Sequence, residues 1–221
     1  DLTVLTQPHH QPRADMAETR LTSLSVTGFR NYASCQLDIA ASNVLLLGPN
    51  GAGKTNLLEA ISMLAPGRGL RRARGEHLPY VAGGTRSWAV ASCISIADET
   101  YRIGTGVPAD SDTGQRIMRR DEETVSQSDI GRLFSASWIT PSMDGIFTDS
   151  PGTRRRFLDR QVIAFDAAHI GRTNRYEKML RERNALLAER RGDAAWFTAI
   201  EASLAAAAVA VTAARQSLIT D

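Results

Sequence analysis

The sequence predicts an α/β domain built around a glycine-rich loop, followed by a helical arm. Residues 48–55 read Gly-Pro-Asn-Gly-Ala-Gly-Lys-Thr, and they lie between an apolar run at 44–47 and a helical pattern at 56–61. Polar and apolar residues alternate in several segments on either side of this loop, as expected for half-buried strands. From Arg154 onward the apolar spacing becomes helical and is interleaved with charge.

The loop is a complete G-x-x-x-x-G-K-[ST] motif, and its place between a strand and a helix favours a phosphate-binding P-loop. Its glycines allow backbone N–H groups to turn inward as an anion nest at the positive end of the helix. The lysine is expected to contact the β- and γ-phosphates, and the threonine hydroxyl is expected to bind Mg²⁺. A glycine-rich turn that merely ends a strand would not need the Lys-Thr pair. The predicted nucleotide site comprises Gly48, Pro49, Asn50, Gly51, Ala52, Gly53, Lys54 and Thr55.

Length and composition fit a globular protein with one large domain, or a domain and a half. The chain has 221 residues, a net charge of +2 and two cysteines, Cys35 and Cys93, which lack CxxC or His/Cys grouping. Reduced thiols, and therefore the cytoplasm, fit this pattern best. The alanine-rich stretch at 202–214 is flanked by Glu201 and Arg215, which favours a packed helix over a membrane span.

Three regions follow from the patterning along the chain. Residues 1–15 are polar and aperiodic, so we expect a disordered tail, in which His9 and His10 lack further metal ligands. Residues 16–150 form the α/β lobe, and residues 151–221 form the helical arm. The arm is expected to break near Gly192 and to end as a truncated helix.

Within the lobe, strands are predicted at 21–26 and 35–39 around a turn at 28–32. A hairpin is predicted from 88–96 and 99–107, followed by a polar loop at 108–116. The apolar run at 134–139 predicts one further strand, which ends at Thr140-Pro141.

The positive charge comes from 24 arginines and only two lysines. Residues 154–191 contain eleven Lys or Arg against five Asp or Glu, which makes them a candidate polyanion-binding surface. From charge alone, a solvated helical face with i,i+4 pairs, such as Glu177 with Arg181, is the slightly favoured interpretation. The candidates for DNA contact are Arg68, Arg71, Arg72, Arg74, Arg154, Arg155 and Arg156.

Five segments in chain order together resemble the RecF family of DNA replication and repair proteins. They are Gly-Phe-Arg-Asn-Tyr at 28–32, the P-loop running into Leu-Leu-Glu-Ala-Ile at 57–61, Gly-Arg-Gly-Leu-Arg at 67–71, Ile-Thr-Pro at 139–141 and Arg-Arg-Arg-Phe-Leu-Asp at 154–159. The resemblance spans roughly residues 21–187. It implies a P-loop NTPase fold of the ABC/SMC-like ATPase head type, with a β-hairpin subdomain and a helical arm.

The resemblance implies ATP and Mg²⁺ as cofactors, with Arg30 and Asn31 near the phosphates. It also implies sequence-independent binding of DNA at single-strand gaps and duplex junctions, in recombinational repair and replication restart. RecR and RecO type mediators would be partners in loading the recombinase, the full-length protein would form an ATP-dependent homodimer, and no membrane would be involved.

Two features of such ATPase heads are not recognised in the sequence. One is a Leu-Ser-x-Gly-Gln signature segment, and the other is an apolar strand that ends in acidic residues. Residues 162–166 end in Asp166, but Ala167 follows and a helix face is the favoured interpretation. Ser142 also follows Pro141 where the family usually has Glu. The sequence is therefore expected to be the N-terminal part of a longer protein, with weak DNA-stimulated hydrolysis only in the full-length dimer and catalytic residues unassigned.

Two alternatives remain open at this stage. Another P-loop enzyme is possible, although the Asn-Lys-x-Asp motif of GTPases is absent. A small-molecule kinase could use Arg71, Arg72 and Arg74 as a lid. A non-enzymatic SMC-like structural protein would need long heptads, for which the arm is too short.

Overall fold

The computed structural model describes residues 3–7, 19–73, 75–97, 99–189 and 194–220. The chain divides into two compact units, residues 1–136 and 137–221. The sequence placed this boundary later, between 150 and 151. It lies earlier because the preceding loop packs on the helices: the Arg160 guanidinium lies 4.6 Å from the Trp138 ring centroid, and its Nη2 donates to the Trp138 carbonyl at 3.2 Å.

The first unit contains a seven-stranded antiparallel sheet in the order β4-β3-β6-β7-β8-β9, with β2 paired to β6. A separate two-stranded sheet joins β1 to β5. The strands are β1 Thr3–Gln7, β2 Thr19–Leu21, β3 Ser23–Phe29, β4 Tyr32–Asp38, β5 Asn43–Leu47, β6 Trp88–Ile96, β7 Glu99–Val107, β8 Ile117–Arg120 and β9 Glu123–Val125.

The predicted β3–β4 and β6–β7 hairpins are confirmed, and β6 and β7 have the bounds that the alternation gave. Val90 lies opposite Thr105 and also pairs with Val26, so these inward-facing residues share one side of the sheet. Helix α1 (Lys54–Leu64) contributes Leu57 and other buried side chains to the same core. The helix that follows the glycine-rich loop is therefore fixed by burial of its apolar face.

The second strand of the small sheet, β5, leads directly into the glycine-rich loop. It pairs with β1, with Thr3 opposite Leu47 and Gln7 opposite Asn43. Part of the segment predicted to be a disordered tail, Thr3–Gln7, is therefore a strand. The predictions for His9 and His10 lie outside the described residues.

A short helix, α2 (Gln127–Leu133), ends the first unit. The strand predicted at 134–139 is wrong, because those residues form no strand in the structure. Phe134 packs against the core of the first unit, whereas Trp138 lies under Arg160 in the second. Ile139, at the end of the run, is 86% exposed, so the apolar residues of the run do not share one buried face as those of a half-buried strand do.

The second unit is helical and consists of α3 (Pro151–Phe165), α4 (His169–Glu189) and α5 (Ala194–Thr220). The break predicted near Gly192 falls between α4 and α5, in residues outside those described. By length and composition, α5 could cross a membrane, since an 18-residue window has a mean hydropathy of 1.7. In the helical unit, 17% of that window is buried; Arg183 of α4 pairs with Glu201 of α5 at 2.7 Å, and Ile200 and Val211 are buried.

Candidate nucleotide-binding site

The glycine-rich loop connects the end of β5 to the first turn of α1. Gly51 has φ 87° and Gly53, the N-cap of α1, has φ 97°, conformations that glycine adopts without strain. The N–H groups of Lys54 and Thr55 open the helix and therefore have no intrahelical acceptors. Together with the positive end of the helix dipole, they form an anion-binding concavity.

Lys54 lies across this concavity. Its Nζ donates to the carbonyls of Gly48 at 2.6 Å and Pro49 at 2.7 Å. An ammonium group has three hydrogens to donate, so the third is available to a phosphate oxygen. Thr55 is the next residue of α1 and its side chain is exposed, which leaves its hydroxyl accessible to a nucleotide-bound cation.

The turn between β3 and β4 forms one wall of the loop. A methyl group added to Gly53 would lie 2.5 Å from Tyr32 Oη and 2.6 Å from Asn31 Nδ2. The Tyr32 hydroxyl donates to the Ala52 carbonyl at 3.4 Å. Asn31, proposed from the sequence as a near-phosphate residue, therefore lies directly against the phosphate loop.

Arg30 points elsewhere, toward the core side of α1. It donates to both carboxylate oxygens of Glu59, at 2.9 and 2.7 Å, and to the His77 carbonyl at 2.6 Å. Arg71 adds a third contact to Glu59 at 3.1 Å. The structure thus brings Arg30 and Arg71, one a phosphate candidate and the other a DNA candidate, onto the same carboxylate.

Glu59 was not among the residues singled out from the sequence, although its side chain is only 1% exposed. The sequence did contain a signal for a buried ion pair, because a glutamate interrupts the apolar run at 57–61, and that run belongs to a helix that packs on the core. A buried carboxylate must be paired, and the neighbouring segments are rich in arginine.

The basic loop at 66–73 is held by several anchors. Gly67 donates its N–H to Gln127 at 2.8 Å, and Leu70 donates its N–H to Ser62 Oγ at 2.7 Å. Arg116 donates to the carbonyls of Gly67 at 2.6 Å and Met63 at 2.5 Å. Burial lowers the pKa of Arg116 to about 10, so the guanidinium stays charged at neutral pH.

The DNA candidates fall on both units. In the first, Arg68 and Arg72 are exposed and Arg71 is partly exposed, whereas Arg74 lies outside the described residues. In the second, the three arginines at 154–156 are exposed on α3. Two of them make local contacts: Arg154 with the Phe147 carbonyl at 2.9 Å and Arg156 with Thr153 Oγ1 at 2.9 Å.

Asp159, which follows this triplet on α3, pairs with residues of the other two helices. It accepts two hydrogen bonds from Arg215, at 2.7 and 2.8 Å, and pairs with His169 at 2.9 Å. His169 is fully buried. Asp159 therefore ties together α3, α4 and α5.

Acidic metal ligands do not converge in the structure. Among the described residues, no group of three or more His, Cys, Asp or Glu could hold a metal ion. Asp166 follows the last residue of α3 and pairs with Arg172, which confirms the helical interpretation of 162–166. Hydrogen bonding from Arg172 keeps the pKa of Asp166 below its ordinary value.

Comparison with known proteins places this arrangement in a family. The AAA domain model matches residues 23–158. The chain belongs to the AAA domain family. The sequence of this AAA protein is 44% identical to that of the DNA replication and repair protein RecF of Mesorhizobium japonicum, in an alignment that covers 92% of this chain and 54% of that protein. It is 40% identical to RecF of Rhizobium rhizogenes, over 90% of this chain and 53% of that protein.

Two solved structures share this AAA chain's fold. Both are of the recombination mediator protein RecF in the RecFOR pathway, one with ATPrS and one with ATP, at TM-scores of 0.78 and 0.77. They are 22% and 23% identical to the chain and cover 93% and 96% of it, with 55% and 56% of their own lengths aligned. The RecF resemblance and the α/β P-loop fold are thereby confirmed, and the chain spans about half the length of the RecF proteins it matches.

Proposed function

We propose that the chain supplies the phosphate-binding part of an ATP-dependent DNA-binding protein of the RecF kind. The protein would act in recombinational repair and replication restart by helping to load the recombinase at single-strand gaps. The observation that carries this proposal is the phosphate loop itself, with Gly53 as the N-cap of α1 and Lys54 bent across the concavity.

ATP is the proposed nucleotide, and RecF relatives support it because one solved neighbour is described as RecF with ATP. Lys54 would donate its remaining hydrogen to the β- or γ-phosphate. Thr55 would bind Mg²⁺ through its hydroxyl. The metal would neutralise phosphate charge and help to orient the triphosphate.

DNA, bound without sequence preference, is the proposed macromolecular ligand, with the exposed arginines of the basic loop and of α3 as contacts. Phosphate recognition by arginine favours such binding. RecR and RecO type mediators, an ATP-dependent homodimer of the whole protein and a cytoplasmic location belong to the same proposal. Its support is the family membership and the RecFOR context of the structural neighbours.

The test of nucleotide binding compares the only two lysines of the sequence. Lys54→Met should reduce ATP affinity by about tenfold or more, the size expected for losing a charge-assisted contact. Lys178→Met is the matched control, since Lys178 is exposed on α4 and forms a surface i,i+4 pair with Glu182 at 3.8 Å. Equilibrium dialysis with labelled ATP measures both.

Retained ATP affinity in a folded Lys54→Met variant would refute the assignment of the loop. The same dialysis with labelled GTP distinguishes the proposal from a GTPase, which should prefer the guanine nucleotide. A small-molecule kinase would instead gain nothing from added DNA. Nucleotide choice and DNA dependence measured side by side therefore separate the candidate functions.

A further inference from the structure

Three polar side chains form a chain of hydrogen bonds from the basic loop to the phosphate loop. Arg71 Nη1 donates to Asn56 Oδ1 at 2.6 Å. Asn56 Nδ2 donates to Asn31 Oδ1 at 2.7 Å. Asn31 Nδ2 then lies against Gly53, where an added methyl group would be only 2.6 Å away. We call these residues, Arg71, Asn56 and Asn31, the relay.

The direction of the relay is fixed by its first member. A guanidinium can only donate hydrogen bonds, whereas an amide has one accepting and one donating side. Asn56 must therefore present its oxygen to Arg71, which leaves its NH₂ group for Asn31. Asn31 must then accept with its own oxygen, so its NH₂ group faces the phosphate loop.

A buried charge holds the start of the relay in place. Arg71 contacts Glu59 Oε2 at 3.1 Å, and the Glu59 side chain is 1% exposed. Arg30 engages both oxygens of the same carboxylate. Since Glu59 and Asn56 both belong to α1, the guanidinium of Arg71 is fixed relative to the helix whose N-terminus completes the loop.

We propose that Arg71 and Asn56 are positioning residues that aim the amide hydrogens of Asn31 at a phosphate of the bound nucleotide. This inference rests on the proposed function and extends it to residues outside the P-loop motif. Asn31, whose amide lies against Gly53, would supply a neutral donor in addition to the charged Lys54. Its correct orientation requires both bonds of the relay.

Asn56→Asp tests the relay, because a carboxylate accepts from Arg71 but cannot donate to Asn31. The Asn31 amide then turns its NH₂ group toward Asp and its oxygen toward the phosphates. ATP affinity should fall by about tenfold or more, as expected when a donor to a charged group is replaced by an acceptor.

The new carboxylate also repels phosphate through its charge, so the same change is made in an Asn31→Ala background. Repulsion acts in both backgrounds, whereas the relay acts only when Asn31 is present. The double-mutant cycle isolates the second effect. Asn56→Ala, which removes the donor without adding charge, gives a second cycle if the aspartate variant does not fold.

ATP affinity is measured by equilibrium dialysis and folding by thermal denaturation, on the full 221-residue chain. If the relay acts as proposed, changing Asn56 lowers ATP affinity in the unmodified chain by a factor at least severalfold larger than in the Asn31→Ala background. Equal losses in both backgrounds, with unchanged melting temperatures, would overturn it. Failure of the unmodified chain to bind ATP would overturn the proposed function on which the relay rests.

Discussion

Arg30 and Glu59 form a bidentate ion pair between the β3–β4 turn and helix α1, with N–O distances of 2.9 and 2.7 Å. Their side chains are 18% and 1% exposed, so water screens this pair little. Arg71 joins the same carboxylate from the basic loop. The core carboxylate thus fixes two segments that flank the phosphate loop, and the geometry of the site depends on it.

Glu59→Gln should destabilise the protein by roughly 3–5 kcal/mol, because it leaves two arginines without their buried counter-charge. Urea denaturation gives the free energy of unfolding. Glu123→Gln is the control, since Glu123 is exposed on β9 and should change stability by no more than about 0.5 kcal/mol. Equal effects of the two substitutions would contradict the central role of Glu59.

Gly53→Ala and Gly51→Ala form a matched pair at the phosphate loop. Both glycines have positive φ, 97° and 87°, so alanine costs about 1–2 kcal/mol at either position. At Gly53 the methyl group overlaps its neighbours, at 2.5 Å from Tyr32 Oη, whereas at Gly51 no atom of the residues that the structure describes lies within 4 Å of it.

Gly53→Ala should therefore lower the urea midpoint further than Gly51→Ala and also weaken ATP binding more. The added methyl group displaces the turn that carries Asn31 and Tyr32, which form the wall of the loop. Identical midpoints and affinities for the two variants would show that this wall does not constrain Gly53.

A structural feature could be predicted from the sequence where it is determined by neighbouring residues, and was missed where it depends on residues far apart in the chain. The strand, glycine-rich loop and helix at 44–64 could be predicted because glycine conformations and the helix dipole are local properties, whereas the roles of its residues toward a nucleotide stay a prediction. The β6–β7 hairpin was predicted by its alternation. The Asn31–Asn56 contact and the Arg30–Glu59 pair join residues 25 and 29 positions apart, which periodicity does not encode, although the glutamate within the apolar run at 57–61 did mark Glu59 as a residue that needs a partner.

Other misses have specific physical reasons. The β8–β9 hairpin, with Asp121 at φ 54° in its turn, is hidden by a run of five charged residues at 119–123. The start of helix α2 could have been predicted from the sequence, since Ser126 and Asp129 have the spacing of a capping box and form one in the structure. The run at 134–139 failed as a strand because its apolar residues do not share one buried face: Phe134 packs against the core of the first unit, whereas Ile139 is 86% exposed.

Asp159 should make the helical unit sensitive to acid. Burial alone would raise the pKa of Asp159, but hydrogen bonds and charges from His169 and Arg215 outweigh burial and lower it. The resulting stability is present above the unfolded-state pKa, near 4, and is lost as pH falls through the folded-state pKa.

Asp159→Asn should therefore cost roughly 1–3 kcal/mol at pH 7, with the difference from the parent shrinking below about pH 4. Thermal denaturation followed by circular dichroism at pH 7, 5 and 3 measures this. Asp144→Asn, at an exposed site before α3, is the control and should show no such trend. A difference that stays constant with pH would contradict the assignment.

Exposed arginines should give DNA binding a steep salt dependence. If they contact phosphates, the logarithm of the duplex binding constant should fall with the logarithm of salt by about 0.9 per neutralised phosphate. Arg68→Ala and Arg155→Ala, one on each unit and both exposed, should each reduce that slope by about 1 and weaken binding equally for unrelated sequences.

Arg86→Ala is the matched control, because Arg86 is exposed in the first unit but lies outside both arginine clusters. The salt dependence of DNA binding by Arg86→Ala, measured by fluorescence anisotropy titrations between about 50 and 200 mM salt, should have the same slope as that of the unmodified chain. Arg71→Ala should differ from all three variants, since loss of the relay should weaken ATP binding as well. Salt-independent binding, or a slope change in Arg86→Ala as large as in Arg68→Ala, would mean that the basic loop and α3 are not the DNA surface.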